Sequence, residues 1–352
     1  MTTGQLLIYG ANGYTGELCA RFARDQGLAP ILAGRSASTV EAVATRYGMD
    51  RRVFALEPAG DVDAGLEGIA VVLHCAGPFS RTSRPIADAC LRRGVHYLDV
   101  TGEVAVFEAL SARDEEAKRA SVMLLPGTGF DVVPSDCLAA HLAERLPDAS
   151  DLTLAFMGVG GAVSHGTATT MVENLGKSSL VRKDGELTDV VMGSLTRDVD
   201  FGEGPRHCMS IPWGDVSTAF HSTGIPNISV YTAVPRAASL AARVTSRFAR
   251  VLSPAPLQRF LQRRIDALPA GPTDARRARG YSLLFGEARN ARDDVARARL
   301  RTPEGYTLTA LASLLVARRV LAGDVKPGFQ TPASAYGSGL VLEIPGVERT
   351  EA

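Results

Sequence analysis

Three glycines at a spacing of three, Gly10, Gly13 and Gly16, stand between a short apolar run and a helical pattern. That arrangement suits phosphate binding. Gly10 lets the chain turn sharply off a strand, Gly13 admits a pyrophosphate to the backbone, and Gly16 lets the helix pack close to the strand. The helix start then offers free N–H groups and the positive end of its dipole. With Asn12, Tyr14 and Thr15 these glycines form the candidate dinucleotide loop. About 20 residues on, an NAD site usually places a carboxylate for the ribose 2′-OH. Here Gly34, Arg35 and Ser36 occupy that place. A guanidinium without a carboxylate suits a 2′-phosphate, so NADP(H) is the expected cofactor.

The elements that position these residues are legible around them. Gln5–Tyr9 reads as a buried parallel strand, Leu18, Phe22 and Ala23 mark one face of a helix stopped by Gly27, and Ile31–Ala33 begins a second strand. The alternation continues with a helix over Ser38–Tyr47, strands at Arg52–Leu56 and Ile69–Cys75, and a helix starting at Pro85 and stopped by Gly94. A strand over His96–Val100, a helix over Glu103–Ala120 and a strand over Val122–Leu125 follow. Six strands with intervening helices predict an amino-terminal Rossmann-type, doubly wound parallel sheet over residues 1–130. After it the pattern changes. Asp151–Met157 alternates as a strand, Thr167–Leu180 reads as a helix, Lys183–Glu186 as a turn and Asp215–Val234 as strands broken at Gly224–Pro226. Tyr281–Ala288 and Val295–Arg301 flank a turn and predict a hairpin. The α/β chain is thus expected to carry a second α+β domain over 131–302, with a mixed or antiparallel sheet for substrate and dimerisation. A C-terminal helix and tail over 303–352 are expected to return to the first domain, with the helix over Tyr306–Leu321.

Composition narrows the partners. Acidic and basic residues balance at 38 each, so no global field favours nucleic acid or an anionic membrane. Cys19, Cys75, Cys90, Cys137 and Cys208 are odd in number and widely spaced, against a disulfide framework or a structural zinc site. The chain enters its first strand without a leader and has no apolar run near membrane length, so a cytoplasmic location is expected. Arg236–Ile265 carries Arg236, Arg243, Arg247, Arg250, Arg259, Arg263 and Arg264 and no acidic residue. It reads as a cover or lid helix with a solvated basic face; a helix for a membrane surface or an acidic partner is the alternative.

Three further motifs complete a pattern: CAGPFSRTSRPIADACLRRGVHYLDVTGE (Cys75–Glu103), GTGFDVVPSD (Gly127–Asp136) and GGAVSHGTATTM (Gly160–Met171). With GANGYTG (Gly10–Gly16) they resemble the saccharopine dehydrogenase-like oxidoreductases, in the branch that includes trans-acting enoyl reductases. The resemblance implies that Gly10, Asn12, Gly13, Tyr14, Thr15 and Gly16 form the dinucleotide loop. It also implies that Gly34, Arg35 and Ser36 form the NADP-type strand end, and that Ala76, Gly77 and Pro78 pass near the nicotinamide half. Asp99, Thr101, Gly102 and Glu103 match the motif after the fifth strand, and Gly129, Phe130, Asp131, Pro134, Ser135 and Asp136 the element opening the second domain. It implies a small or carrier-bound substrate and a homodimer through the second-domain sheet. It assigns no universal acid or base.

In hydride transfer the cofactor does the redox chemistry and the protein orients substrate and handles protons. Reducing an enoyl C=C bond needs a donor to the carbonyl oxygen and a proton at the α-carbon; reducing C=N needs a positioned proton on an iminium. The candidates are Tyr14, Asp99, Glu103, Asp131, Ser164 and His165, of which Asp131, His165 and Tyr14 lead. Asp99 and Glu103 read better as carboxylates that hold loops by accepting backbone N–H bonds. Asp131 reads equally as a turn or cap carboxylate before Pro134. Reduction of an enoyl C=C bond is the leading expectation. Saccharopine-type C=N reduction and a non-catalytic NADP-binding sensor or scaffold are the alternatives.

Overall fold

The computed structural model describes residues 4–160, 178–247 and 271–352. Its first elements in chain order are β1 (Gln5–Tyr9), α1 (Tyr14–Asp25), β2 (Ile31–Gly34), α2 (Ala37–Tyr47), β3 (Arg51–Val53), α3 (Ala59–Gly65), β4 (Ile69–His74), α4 (Phe79–Arg93), β5 (His96–Asp99), α5 (Val104–Ser111), α6 (Asp114–Arg119) and β6 (Met123–Leu125). Then come α7 (Val133–Arg145), β7 (Ala149–Val159), β8 (Ser179–Lys183), β9 (Glu186–Val190), β10 (Thr196–Asp200), β11 (Pro205–Ser210), α8 (Asp215–Thr223), β12 (Asn227–Ala233) and α9 (Arg236–Arg247). The chain closes with α10 (Asp274–Arg279), β13 (Tyr281–Asn290), β14 (Val295–Pro303), α11 (Gly305–Leu321), β15 (Gly328–Phe329), α12 (Pro332–Tyr336) and β16 (Glu348–Glu351).

The chain forms two compact units, one of Met1–Val133 with Tyr306–Leu340, the other of Pro134–Gly305 with Val341–Ala352. The first unit holds a seven-stranded sheet in the order β15-β6-β5-β4-β1-β2-β3, with every pairing parallel. Because helices cover a parallel sheet, its strands are continuous apolar runs. Leu7, Tyr9, Val72, Tyr97 and Leu124 from the strands bury against Ile86, Cys90 and Val106 from the helices. The strand order reverses between β1 and β4, which opens a crevice at their carboxyl ends. The late segment adds β15 beside β6, a seventh strand beyond the six expected.

Two boundaries in this unit differ from the sequence reading. Helix α4 starts at Phe79, six residues before Pro85, which lies inside it. The early start is supported from outside the helix, since the Glu103 carboxylate accepts the N–H groups of Phe79 (2.8 Å) and Ser80 (2.9 Å). The helix expected over Glu103–Ala120 is two helices. The acidic first turn Asp114, Glu115 and Glu116 favours a new helix start, and Arg113 at that start bonds Asp88 and Glu116.

The second unit holds a nine-stranded mixed sheet in which β7 and β12 run parallel and the other pairings are antiparallel. The β13–β14 hairpin closes where the Asn290 side chain accepts the N–H groups of Arg292 and Asp294. The turn at Asp184 (φ 50°) and Gly185 (φ 84°) joins β8 to β9, with both central residues left-handed as a two-residue hairpin requires. Asp215–Thr223 is helix α8, where strand was expected. Asp215 supplies an acidic first turn, Ser222 and Thr223 bond the carbonyls four residues back, and Gly224 (φ 71°) stops the helix. Of the helix expected over Thr167–Leu180, residues 167–177 lie outside the described residues, and Leu180 belongs to β8. Helix α9 turns Ser239 inward, bonded to His207, and exposes Leu240 and Val244; the rest of the basic segment lies outside the described residues. No helix among the described residues is long and apolar enough to cross a membrane.

Candidate active site

The glycine loop is built by two close backbone approaches and one side-chain contact. Gly10 turns at φ 82°, and a Cβ there would lie 2.8 Å from the Ala76 backbone nitrogen. The loops after β1 and β4 therefore touch at the switch point, where Cys75 N–H donates to the Tyr9 carbonyl (2.8 Å). A Cβ on Gly16 would stand 2.3 Å from the Gly10 carbonyl oxygen, so α1 lies directly against the turn. Gly13 caps α1 with no side chain, which leaves that helix end open to a ligand. Asn12 Oδ1 lies over Gly34, where a Cβ would come within 3.0 Å, and this joins the first loop to the end of β2. There Arg35 is exposed, and neither its side chain nor the Ser36 hydroxyl makes a hydrogen bond or ion pair among the described residues. A phosphorylated dinucleotide fits this cradle. It has a side-chain-free helix start for the pyrophosphate and an uncommitted guanidinium and hydroxyl at the ribose end.

The Ala76–Pro78 turn is held from behind by a buried histidine that the motif reading passed over. His74 is fully buried, and its Nε2 lies 2.9 Å from Thr82 Oγ1, which in turn donates to the Ala76 carbonyl (2.7 Å). That direction makes Nε2 the protonated nitrogen. Burial pushes the His74 pKa down to about 3, so the ring is neutral. The only sequence signal was a polar residue closing an apolar run.

Asp99 and Glu103 serve the backbone. Asp99 Oδ1 accepts the N–H groups of Thr101 (3.0 Å) and Gly127 (2.8 Å), while Oδ2 accepts the Tyr97 hydroxyl (2.7 Å). Burial raises its pKa to about 6 against the pull of these donors. Asp99 thereby ties the loop after β5 to the loop after β6.

Asp131 sits in that second loop, at the same edge of the sheet. Its carboxylate lies over Gly102, where a Cβ would meet Oδ2 at 2.6 Å. It accepts no hydrogen bond among the described residues, so it caps nothing. The residue keeps some solvent exposure, yet the surrounding protein desolvates its carboxyl group and raises the pKa to about 7. Tyr14 opens α1, and its ring meets Tyr306 edge-on with centroids 5.1 Å apart. His165 and Ser164 lie outside the described residues.

One supporting group was missed. Helix α11 bears Tyr306, Thr309 and Ser313 at spacings of three and four, a polar row in an apolar helix. Tyr306 packs on Tyr14, Thr309 Oγ1 accepts Phe130 N–H (3.0 Å), and Ser313 Oγ donates to the Thr128 carbonyl (3.1 Å). The family resemblance reaches this helix start at Gly305–Ala310, but it gave these side chains no role, because their partners lie far off in the chain.

The strand order 3-2-1-4-5-6, the glycine turn at the switch point and the open helix start are those of a Rossmann-type dinucleotide-binding domain. Residues 6–125 match the family model described as the saccharopine dehydrogenase NADP binding domain. Over those residues the chain is similar to the NADP-binding domains of saccharopine dehydrogenases. It is 32% identical over 187 residues, 49% of its length, to a Mycobacterium tuberculosis protein described as a candidate trans-acting enoyl reductase, and covers 45% of that protein. It is 32% identical over 149 residues, 40% of its length, to a trans-acting enoyl reductase of Mycobacterium leprae, covering 36% of it. The matched stretch thus spans less than half of these relatives. Apo saccharopine dehydrogenase (L-Glu forming) of Saccharomyces cerevisiae shares the fold, with a TM-score of 0.66 and 11% identity over 99% of this chain and 100% of that one.

Proposed function

We propose that this chain is an NADPH-dependent reductase of an enoyl C=C bond in a small or carrier-bound metabolite. Asp131 carries the reading. Among the described residues its carboxyl group makes no hydrogen bond, its pKa is raised to about 7, and it stands beyond the carboxyl ends of the strands where such folds bind ligands. The bound dinucleotide supplies the hydride. Gly10, Asn12, Gly13, Tyr14, Thr15 and Gly16 would hold its pyrophosphate, Arg35 and Ser36 its 2′-phosphate, and Ala76, Gly77, Pro78 and Gly102 would line its nicotinamide half. Hydride addition at the β-carbon of an enoyl thioester leaves an enolate that must gain a proton at the α-carbon. A carboxyl group poised near neutrality can give that proton and regain one from water. Tyr14, and His165 from the second domain, are the other groups proposed to handle protons. The names of the mycobacterial relatives support the enoyl substrate class, and the active form is proposed to be a cytoplasmic homodimer.

The direct test mixes purified protein with NADPH and enoyl, imine and carbonyl substrates and follows NADPH consumption. Turnover of an enoyl thioester is expected; turnover of imines alone would move the reading to saccharopine-type chemistry, and no turnover with any class would leave a sensor or scaffold. Asp131→Asn should lower kcat on the order of 100-fold or more while NADPH affinity stays unchanged. Full activity in that variant would remove Asp131 from the mechanism.

Arg35→Ala should weaken NADPH binding by about 10- to 100-fold, the loss of one charge-assisted phosphate contact, and leave NADH binding unaltered. Parallel titrations of the two nucleotides read this. Equal loss for both would assign Arg35 to general folding instead of the 2′-phosphate.

A further inference from the structure

We propose that Thr309 is a positioning residue for Asp131, acting through the backbone of the Gly127–Asp131 loop, with Ser313 as its support. The inference rests on the reading of Asp131 as the proton donor. It adds that the donor's setting is controlled by helix α11, whose Thr309 stands 179 residues from Phe130.

The loop is held at several points: Gly127 N–H donates to Asp99 Oδ1, and the Gly129 carbonyl accepts Val133 N–H. Its first half is anchored to β5, since Thr128 donates both N–H (2.7 Å) and Oγ1 (2.8 Å) to the Asp99 carbonyl. Its second half, Gly129 and Phe130, meets Thr309. The hydroxyl accepts Phe130 N–H at 3.0 Å, and the methyl lies so close to Gly129 that a Cβ there would stand 2.9 Å from it. One side chain thus sets both the height and the direction of the Gly129–Phe130 peptide, one residue ahead of the peptide that leads into Asp131. Ser313, one turn further along α11, keeps that helix in register. Its hydroxyl donates to the Thr128 carbonyl at 3.1 Å and lies 3.1 Å from Thr128 Oγ1. Thr309 and Ser313 are both buried, so these bonds are shielded from competing water.

Asp131 itself has a narrow seat. Gly102 gives its carboxylate room on one side, and desolvation is the cause of its raised pKa. A peptide that swings outward by an ångström would carry the carboxyl group toward water, where its protonated form is no longer favoured. Removing the Thr309 hydroxyl takes away the bond by which α11 holds Phe130 N–H, at the cost of a buried hydrogen bond. Loop rotation is the cheapest response, and Asp131 follows it.

The test is carboxyl-carbon NMR of the full chain labelled at aspartate, with the Asp131 signal identified by its loss in Asp131→Asn. Thr309→Val keeps the shape and removes the hydroxyl; Thr309→Ser keeps the hydroxyl and removes the methyl. Asp131 should titrate at least about one pH unit lower in Thr309→Val, a tenfold change in its ionisation constant. Thr309→Ser should leave it within a few tenths of a unit of wild type. An unchanged titration in Thr309→Val overturns the inference, and so does a full shift in Thr309→Ser, which also decides the matter if the valine variant does not fold. With an enoyl thioester, Thr309→Val should lower kcat and leave NADPH affinity alone. If Asp131→Asn retains activity while the NMR shift is found, the donor reading fails and the positioning stands.

Discussion

Gly16→Ala is expected to weaken NADPH binding by more than 100-fold. The added methyl would lie 2.3 Å from the Gly10 carbonyl oxygen, 2.8 Å from its carbon and 2.9 Å from Ala11 Cα. All three are backbone atoms, so no side-chain rotation relieves the contact. Helix α1 must move off the turn, and its N-terminal N–H groups then lose their aim at the pyrophosphate. Overpacking of this kind costs about 1–3 kcal/mol of stability as well. Gly27→Ala provides the comparison. Gly27 has φ 73° but nothing within 4 Å of a Cβ, so the change should cost about 1 kcal/mol in stability and leave NADPH binding unchanged. Fluorescence titration and thermal melts of both variants separate the two effects. A Gly16→Ala protein that binds NADPH as tightly as wild type would refute the proposed cradle.

His74→Gln is expected to flatten the loss of stability in acid. The unfolded chain protonates this histidine near 6.5, whereas the folded protein resists protonation until about pH 3. In that window the unfolded state binds the extra proton. The contribution of His74 is therefore complete above about pH 6.5 and declines as pH falls toward 3. At about pH 4.5, two units below the ordinary value, the decline amounts to roughly 3 kcal/mol. Asp99 and Asp131 act in the opposite sense. Their folded pKa values, about 6 and about 7, lie above the ordinary 3.8, so the folded state holds more protons and gains stability as pH falls from 7 toward 4. Those contributions cancel in the difference between wild type and variant. Glutamine retains an amide donor for Thr82 but cannot take up the proton. Urea unfolding from neutral to acid pH should show the variant less stable at neutrality and less sensitive to acid. Parallel pH profiles for the two proteins would mean that His74 titrates normally.

Much of the first unit was legible because its information is local. The run Gln5–Tyr9, the glycines at 10, 13 and 16 and the helical face that follows lie within one βαβ unit, and each constrains its neighbour through backbone geometry. The same holds for the hairpin at Asn290–Asp294, where turn chemistry specifies the pairing; at Asp184–Gly185 only the turn was read, and β8 and β9 on either side of it were not. Periodicity was least informative where a partner lies far along the chain. The start of α4 depends on Glu103, 24 residues beyond Phe79, and Pro85 drew the sequence reading to the wrong turn. Helix α8 looked like strand because Val216, Thr218 and Thr223 are β-branched, and propensity yields to an acidic first turn and a glycine stop.

Sequence by itself determined that residues suited to a phosphorylated dinucleotide stand at this turn, since glycine access and an arginine at a strand end are properties of residue type and spacing. Tertiary structure decided which carboxyl groups are chemically distinct. Asp99 and Asp131 are the same residue type on neighbouring loops. One is tied to three donors, while the other has no hydrogen bond among the described residues and lies over Gly102. Phe130, beside Asp131, bonds Thr309 from 179 residues away. Desolvation and long-range hydrogen bonding depend on what the folded chain brings alongside, and no local pattern of residues encodes that.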